Sequence, residues 1–161
     1  MARSEKKFIA DVMLGRLAKW LRIIGYDTLY FRKIEDSQLI RTAVREGRIL
    51  LTRDVELYHR GGFQGLFIES DDLEAQLLQV MKEAKLRPRI RSNVRCPLCN
   101  ETLEVVPRDQ IRGAVPAYVY STQREFTRCP RCGKIFWRGT HWQRIEGRLR
   151  KMNLGVPPYD P

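Results

Sequence analysis

The sequence predicts an α/β domain of three layers with a mainly parallel sheet, followed by a small β-rich module. Two observations carry this. From Phe8 to about Lys85, short apolar runs alternate four times with stretches of helical periodicity. That alternation is the pattern of a parallel sheet with helices on both faces. Beyond Pro88 the periodicity stops, and all four cysteines of the chain appear as two Cys-x-x-Cys pairs.

Taken in order, Phe8, Ile9 and Ala10 read as a buried strand ending on Asp11. A helix follows whose apolar face holds Leu14, Leu17, Ala18, Leu21 and Ile24, with Arg16, Lys19 and Arg22 largely off it. Gly25 reads as its C-cap. Thr28–Phe31 is the second strand. Asp36 or Ser37 caps the next helix, which is expected to bury Leu39, Ile40, Ala43 and Val44 and to stop at Gly47. Arg48–Thr52 is a third strand, a continuous apolar run of the kind parallel sheets contain, and it leads into Arg53-Asp54. A short helix spans about Val55 to His59. Gly65–Glu69 is a fourth strand leading into Ser70-Asp71-Asp72. The last helix of this part, about Leu73 to Lys85, is expected to bury Leu73, Leu77, Val80, Met81 and Ala84.

The segment Arg87-Pro88-Arg89-Ile90-Arg91 reads as a linker, which divides the chain into 1–90 and a ribbon module over 91–145, with a basic, Pro-rich tail over 146–161. Within the module, Ala117-Tyr118-Val119-Tyr120 reads as β-rich and Ile135-Phe136-Trp137 as a strand. A short helix is expected from His141 to about Met152, before an irregular, mobile GVPPYDP end.

The 161 residues suffice for one ordinary domain or two small ones. A hydrophobic fraction of 43% suits a folded chain and argues against disorder. No apolar run approaches the roughly 20 residues of a membrane span. The basic start, MARSEKK, leads into an apolar run that stops at Asp11, so it does not read as an export signal, and a soluble cytoplasmic protein is expected. The net charge is +11, unevenly spread: residues 1–90 carry 17 basic and 13 acidic side chains, residues 91–161 carry 13 and 6. The excess is mostly Arg, which pairs bidentately with phosphate, and it favours nucleic acid over a membrane surface.

The cysteine pairs are the most specific local signal. Cys96/Cys99 and Cys129/Cys132 lie 29 residues apart, each pair in a tight turn of Pro with Asn or Gly. Two such turns complete a tetrahedral, closed zinc site. Disulfides do not suit a chain without an export signal, and a redox motif would open a helix. The zinc would replace core that a module of about 50 residues lacks.

The acids of the first part form a second constellation. Asp11 follows strand one, Asp54 strand three, Asp71 and Asp72 strand four, and Asp36 begins the second helix. Parallel strands gather such residues at one edge, where open α/β sheets bind ligands. Clustered carboxylates suit Mg²⁺ or Mn²⁺, ions able to support phosphodiester cleavage. Each acid alone also reads as a helix cap or turn residue. His59 is expected at the surface. His141 is expected to cap the last helix.

The blocks FIADVMLGRLAKWLRIIGYDT, ILLTRD, SDD, the two knuckles, VPAYVYSTQREFTRCPRCGKIFWRG and GTHWQRI resemble the Mut-seven C-terminal RNase domain family, a PIN-like nuclease domain followed by a four-cysteine zinc ribbon. They cover most of residues 8–145. The resemblance implies a metal-dependent RNase with Asp11, Asp36, Asp54 and one of Asp71 or Asp72, with Asp72 preferred, at the active centre. On that reading Asp11 and Asp54 hold Mg²⁺ or Mn²⁺, Arg16, Lys19, Arg22 and Arg53 meet phosphates, and Tyr118, Tyr120, Trp137 and Trp142 either stack on bases or fill the ribbon core. The partner is RNA, single-stranded or structured, ribosomal or tRNA included. The rival expectation is a catalytically silent RNA- or ribosome-binding module; a toxin-type endonuclease is a third.

Overall fold

The structure, a computed structural model, describes residues 4–90 and 94–156. They form two compact units that divide after Asn100.

The first unit alternates β1 (Phe8–Ala10), α1 (Gly15–Ile23), β2 (Thr28–Tyr30), α2 (Asp36–Glu46), β3 (Ile49–Thr52), α3 (Val55–Arg60), β4 (Gly65–Phe67) and α4 (Leu73–Glu83). All strand pairs are parallel, in the order β2-β1-β3-β4. The two central strands, β1 and β3, are buried at every residue, which is why they read as unbroken apolar runs. Ile9 and Leu50 face α2 and α3, sharing a core with Leu39, Ala43 and Leu57. Alternation along the strands sends Phe8, Ala10 and Leu51 to the opposite face. There α1 packs beside α4.

The helix faces are as expected on α1 and α4: Leu14, Leu17, Ala18, Leu21, Ile24, Leu73, Leu77, Val80, Met81 and Ala84 are all buried. On α2 they are not. Leu39 and Ala43 are buried, Ile40 is half-buried, and Val44 is 56% exposed. Only the narrow side of α2 meets the sheet, so a wider apolar stripe finds nothing to cover it. The residue preceding α2 at its N-cap is Glu35; Asp36 lies in the first turn.

The expected linker is packed against the first unit where it is described. Ile90 is buried, the Arg89 amide donates to the Ile24 carbonyl at 2.8 Å, and the Arg89 guanidinium lies 4.8 Å over the Tyr26 ring. Arg91 lies outside the described residues.

The second unit holds an antiparallel sheet, β5 (Glu104–Val106), β6 (Phe126–Arg128) and β7 (Ile135–Trp137), in that order. Helix α5 (Ala117–Thr122) lies between β5 and β6, and α6 (Thr140–Lys151) follows β7. Ala117–Tyr120 is therefore helical, not β-rich. Pro116 fixes the turn into it, its carbonyl accepts the Tyr120 amide at 3.0 Å, and the Thr122 hydroxyl donates back to the Tyr118 carbonyl. Val119 and Tyr120 thereby pack on Val106, Ile111 and Phe126. Helix α6 takes up residues 146–151 of the expected tail. Residues 157–161 of that tail lie outside the described residues. No helix among the described residues is long and apolar enough to cross a membrane.

Candidate active edge and cysteine centre

Because every strand of the first sheet is parallel, the segments after β1, β2, β3 and β4 leave from one edge. The neighbours β1 and β3 meet where the connections turn to opposite sides: α1 leads outward to β2, while β3 leads on to β4. Such a switch point is the common ligand crevice of open α/β sheets.

Asp11 and Asp54 leave these two strands. Asp11 is 4% exposed. Its Oδ1 accepts the Val12 amide at 2.7 Å and its Oδ2 accepts the Thr52 hydroxyl at 2.7 Å. The same Thr52 oxygen accepts the Asp54 amide at 2.9 Å. Thr52, fully buried, thus ties the two acids together across the strands. Asp54 is half-buried, and its Oδ1 accepts the Leu57 amide at 3.0 Å, capping α3. Thr52 was not among the residues expected here; the signal was a hydroxyl two residues before an acid at the end of an apolar strand.

The flanking acids are more loosely placed. Asp36 pairs with Arg60 at 3.4 Å, both substantially exposed. Asp72 is exposed and caps α4, its Oδ2 accepting the Ala75 amide at 2.9 Å. Asp71 is exposed as well. Among the described residues, no three carboxylates lie close enough to share one ion; the only such group of ligands is the cysteines. Tyr30 is a further residue of this edge: its hydroxyl donates to the Val12 carbonyl at 2.8 Å. Gly15 makes room for it, since a Cβ there would meet the Tyr30 ring and hydroxyl at 2.8 Å.

The four expected phosphate-binding cations separate. Arg16 and Lys19 are exposed on α1. Arg53 is half-buried and donates to the Glu69 carbonyl at 2.8 Å, tying the exits of β3 and β4 together. Arg22 does not belong to this edge. Helix α1 runs back across the sheet, so its last turn arrives at the opposite edge, where Arg22 is 7% exposed.

That opposite edge is a dense polar network. Arg48 Nη1 donates to Asp27 Oδ1 at 2.7 Å and its Nε to Glu46 at 2.7 Å. Asn100 Nδ2 donates to the same Asp27 oxygen at 2.7 Å, while Asn100 Oδ1 accepts the Thr28 amide at 2.9 Å. Burial pushes the Asp27 carboxyl up, but the hydrogen bonds from Arg48 and Asn100 and the charges of Arg48 and Arg95 outweigh it and hold it below the usual range. Glu46 is held down chiefly by its hydrogen bond from Arg48.

Both cysteine turns are built alike. The Asn100 amide donates to the Cys96 carbonyl and the Gly133 amide to the Cys129 carbonyl, each at 2.9 Å. Each turn ends on a left-handed residue, Asn100 (φ 66°) and Gly133 (φ 74°), types that tolerate that conformation. The Cys132 amide reaches the Cys129 Sγ at 3.5 Å. No disulfide joins the cysteines. Their four sulfurs lie within 4.8 Å of one another. A tetrahedron with Zn–S near 2.3 Å needs sulfurs roughly 3.8 Å apart. The donor set and its spacing therefore fit zinc with a small closure.

The aromatic residues divide as follows. Tyr118 is 77% exposed. Trp137 packs with Phe126 in the core of the ribbon. The Arg108 guanidinium lies 4.2 Å over the half-buried Tyr120 ring. Trp142 Nε1 donates to Glu146 at 2.9 Å. His141 does not cap α6: Gly139 occupies the N-cap, and His141 is exposed within the helix. His59 is at the surface beside Tyr58.

Neither the curated proteins nor the solved structures returned a match to the chain. The family model described as the Mut7-C RNAse domain matches residues 6–149, nearly the whole of it. With a four-strand parallel sheet, a separate antiparallel sheet and four gathered cysteines, the chain belongs to the Mut7-C RNAse domain family.

Proposed function

We propose that this protein is a metal-dependent ribonuclease that cleaves RNA phosphodiester bonds at the carboxyl edge of its parallel sheet, with the zinc ribbon aiding RNA binding. The observation that carries the reading is the pairing of Asp11 and Asp54 through Thr52 at the β1/β3 switch point. The family's description as an RNase domain supports the substrate class.

Two carboxylates with water completing the shell is how Mg²⁺ is commonly held. Bound there, Mg²⁺ or Mn²⁺ would supply the activation of water and the neutralisation of charge that the cleavage needs. The chain's own part is positioning. The Thr52 hydroxyl and the Val12 amide fix the Asp11 carboxylate, and the α3 cap fixes Asp54. Asp36 and Asp72 flank this pair and would extend the acidic edge or orient water. Arg16 and Lys19 would meet phosphates, and Tyr118 would stack on an unpaired base. Zinc at Cys96, Cys99, Cys129 and Cys132 is structural, a site closed to water. Thiols kept for zinc suit a cytoplasmic protein.

The test is cleavage of labelled single-stranded and structured RNA, and of matching DNA, with Mn²⁺, Mg²⁺ or chelator. Metal-dependent cutting of RNA that the Asp11→Asn/Asp54→Asn variant lacks is expected. Equal cutting by both proteins would sink the assignment. A silent RNA-binding module is the second reading, favoured by the structural work each acid already does as a cap or ion-pair partner. It predicts salt-sensitive RNA binding, indifferent to divalent metal, and no cutting.

A further inference from the structure

The Cys96–Cys99 turn lies against the end of α1, where Arg22 reaches its backbone. Arg22 Nη1 donates to the carbonyl of Pro97 at 2.8 Å and reaches that of Leu98 at 3.4 Å. Its Nε donates to the Thr28 carbonyl at 2.8 Å, fastening the guanidinium to the start of β2. The Arg22 carbonyl also accepts the Arg95 amide at 3.1 Å, just before the first cysteine. A guanidinium is a rigid fork of donors, and here it grips the two residues between the ligands.

Charge points the same way. Four thiolates around one Zn²⁺ leave a net charge of about −2. A buried, unpaired charge is costly, so such a centre needs a cation close by. Arg22 is buried, and burial lowers the hold of its guanidinium on the proton, while the charges of Cys96, Cys99 and Asp27 favour the cation. On the far side, Asn100 closes the turn and is itself held by Asp27 and Thr28.

We infer that Arg22 is a positioning residue of the zinc centre: it sets the Cys96–Cys99 turn in its ligand-presenting form and supplies a counter-charge to the thiolates. This rests on the reading of the cysteine group as a zinc site. It assigns Arg22 a role distinct from phosphate contact.

The experiment measures zinc content and zinc affinity of the full chain, by competition with a chromophoric chelator, together with the absorption of the Co²⁺-loaded protein. Three variants accompany the parent. Arg22→Met keeps the aliphatic stem and loses charge and fork. Arg22→Lys keeps the charge and loses the fork. Leu57→Ala opens a cavity in the same unit, in the core shared by α2 and α3. Partners behind metal ligands typically contribute 10- to 100-fold in affinity. The expected result is therefore a drop of roughly tenfold or more for Arg22→Met, a smaller drop for Arg22→Lys, and parental affinity for Leu57→Ala. Changed Co²⁺ absorption should accompany the first. If Arg22→Met does not fold, a folded Arg22→Lys decides: about threefold or greater loss supports the inference, parental affinity overturns it. Parental affinity in both Arg22 variants, or an equal loss in Leu57→Ala, overturns it also. A parent that binds no zinc would instead overturn the zinc reading itself.

Discussion

The two edges of the parallel sheet differ in how their charges are held. At the carboxyl edge Asp11 and Asp54 share one hydroxyl, and the outer acids stand largely in solvent with one cap or one weak ion pair each. At the opposite edge Arg48, Asn100 and Arg22 are buried, Asp27 is half-buried, and all four are multiply bonded. Charges that serve folding are satisfied within the chain. Charges gathered at a strand edge with capacity left over are available to something else. The contrast makes the first edge the candidate for chemistry and the second the candidate for stability, and it can be broken at either end.

The largest effect is expected at the carboxyl edge and on rate alone. Asp11→Asn/Asp54→Asn should lower RNA cleavage roughly 10²–10³-fold or more, the scale of preorganised electrostatic groups. RNA affinity in a filter-binding assay should change little. Next comes the opposite edge. Asp27→Ala leaves Arg48 buried with its main partner gone, and removing one member of a buried pair costs about 3–5 kcal/mol. Arg48 keeps its bond to Glu46, which places the expectation at the low end, about 3 kcal/mol, read as a lower urea midpoint. Cleavage by the fraction that remains folded should be unchanged. If Asp27→Ala abolished cutting in a fully folded protein, the division of labour between the edges would be wrong.

Thr52→Val tests the junction within the candidate active edge. Asp11 and the Asp54 amide would each lose a partner, at about 1–3 kcal/mol for such orphaned groups. Rate and stability should both fall, unlike either set above. A variant that loses stability but keeps full rate would show that Thr52 serves only the fold.

Much of this architecture was legible in the chain. The runs at β1 and β3 are continuous because both faces are covered, and the helical spacing on α1 and α4 marks faces that pack on that sheet and on each other. The same logic placed Asp11 and Asp54 at one edge. What escaped depended on contacts between residues distant in sequence. Arg22 looks like a surface cation on its own helix. It is buried because residues 86–90 and 95–100 pack at the end of α1, where the Ile24 and Arg22 carbonyls accept the Arg89 and Arg95 amides. Tyr118 and Val119 have strand-forming side chains, but strand propensity is largely a matter of packing context, and the ribbon offers α5 a surface of Val106, Ile111 and Phe126 instead. Val44 completes an apolar stripe of which only the Leu39 and Ala43 side meets the sheet. The cysteine spacing was the opposite case, since both turns are local and carry their geometry in six residues.

The smallest expected effect is on pH dependence, and it sharpens the comparison without disturbing either edge. In the folded protein Asp27 is held below the usual carboxylate range by its bonds from Arg48 and Asn100, and Glu46 by its bond from Arg48. The unfolded chain takes up protons on these groups first, near pH 4. Their stabilisation is therefore complete above about pH 5 and lost as the pH falls through the unfolded and then the folded value. Urea unfolding of the parent should show stability declining from pH 5 toward pH 3, with no contribution to slope from these two groups between pH 6 and 9. In Asp27→Asn the decline should be shallower, with only Glu46 of the pair still titrating. An identical slope in parent and variant would mean that Asp27 does not couple the proton to this edge.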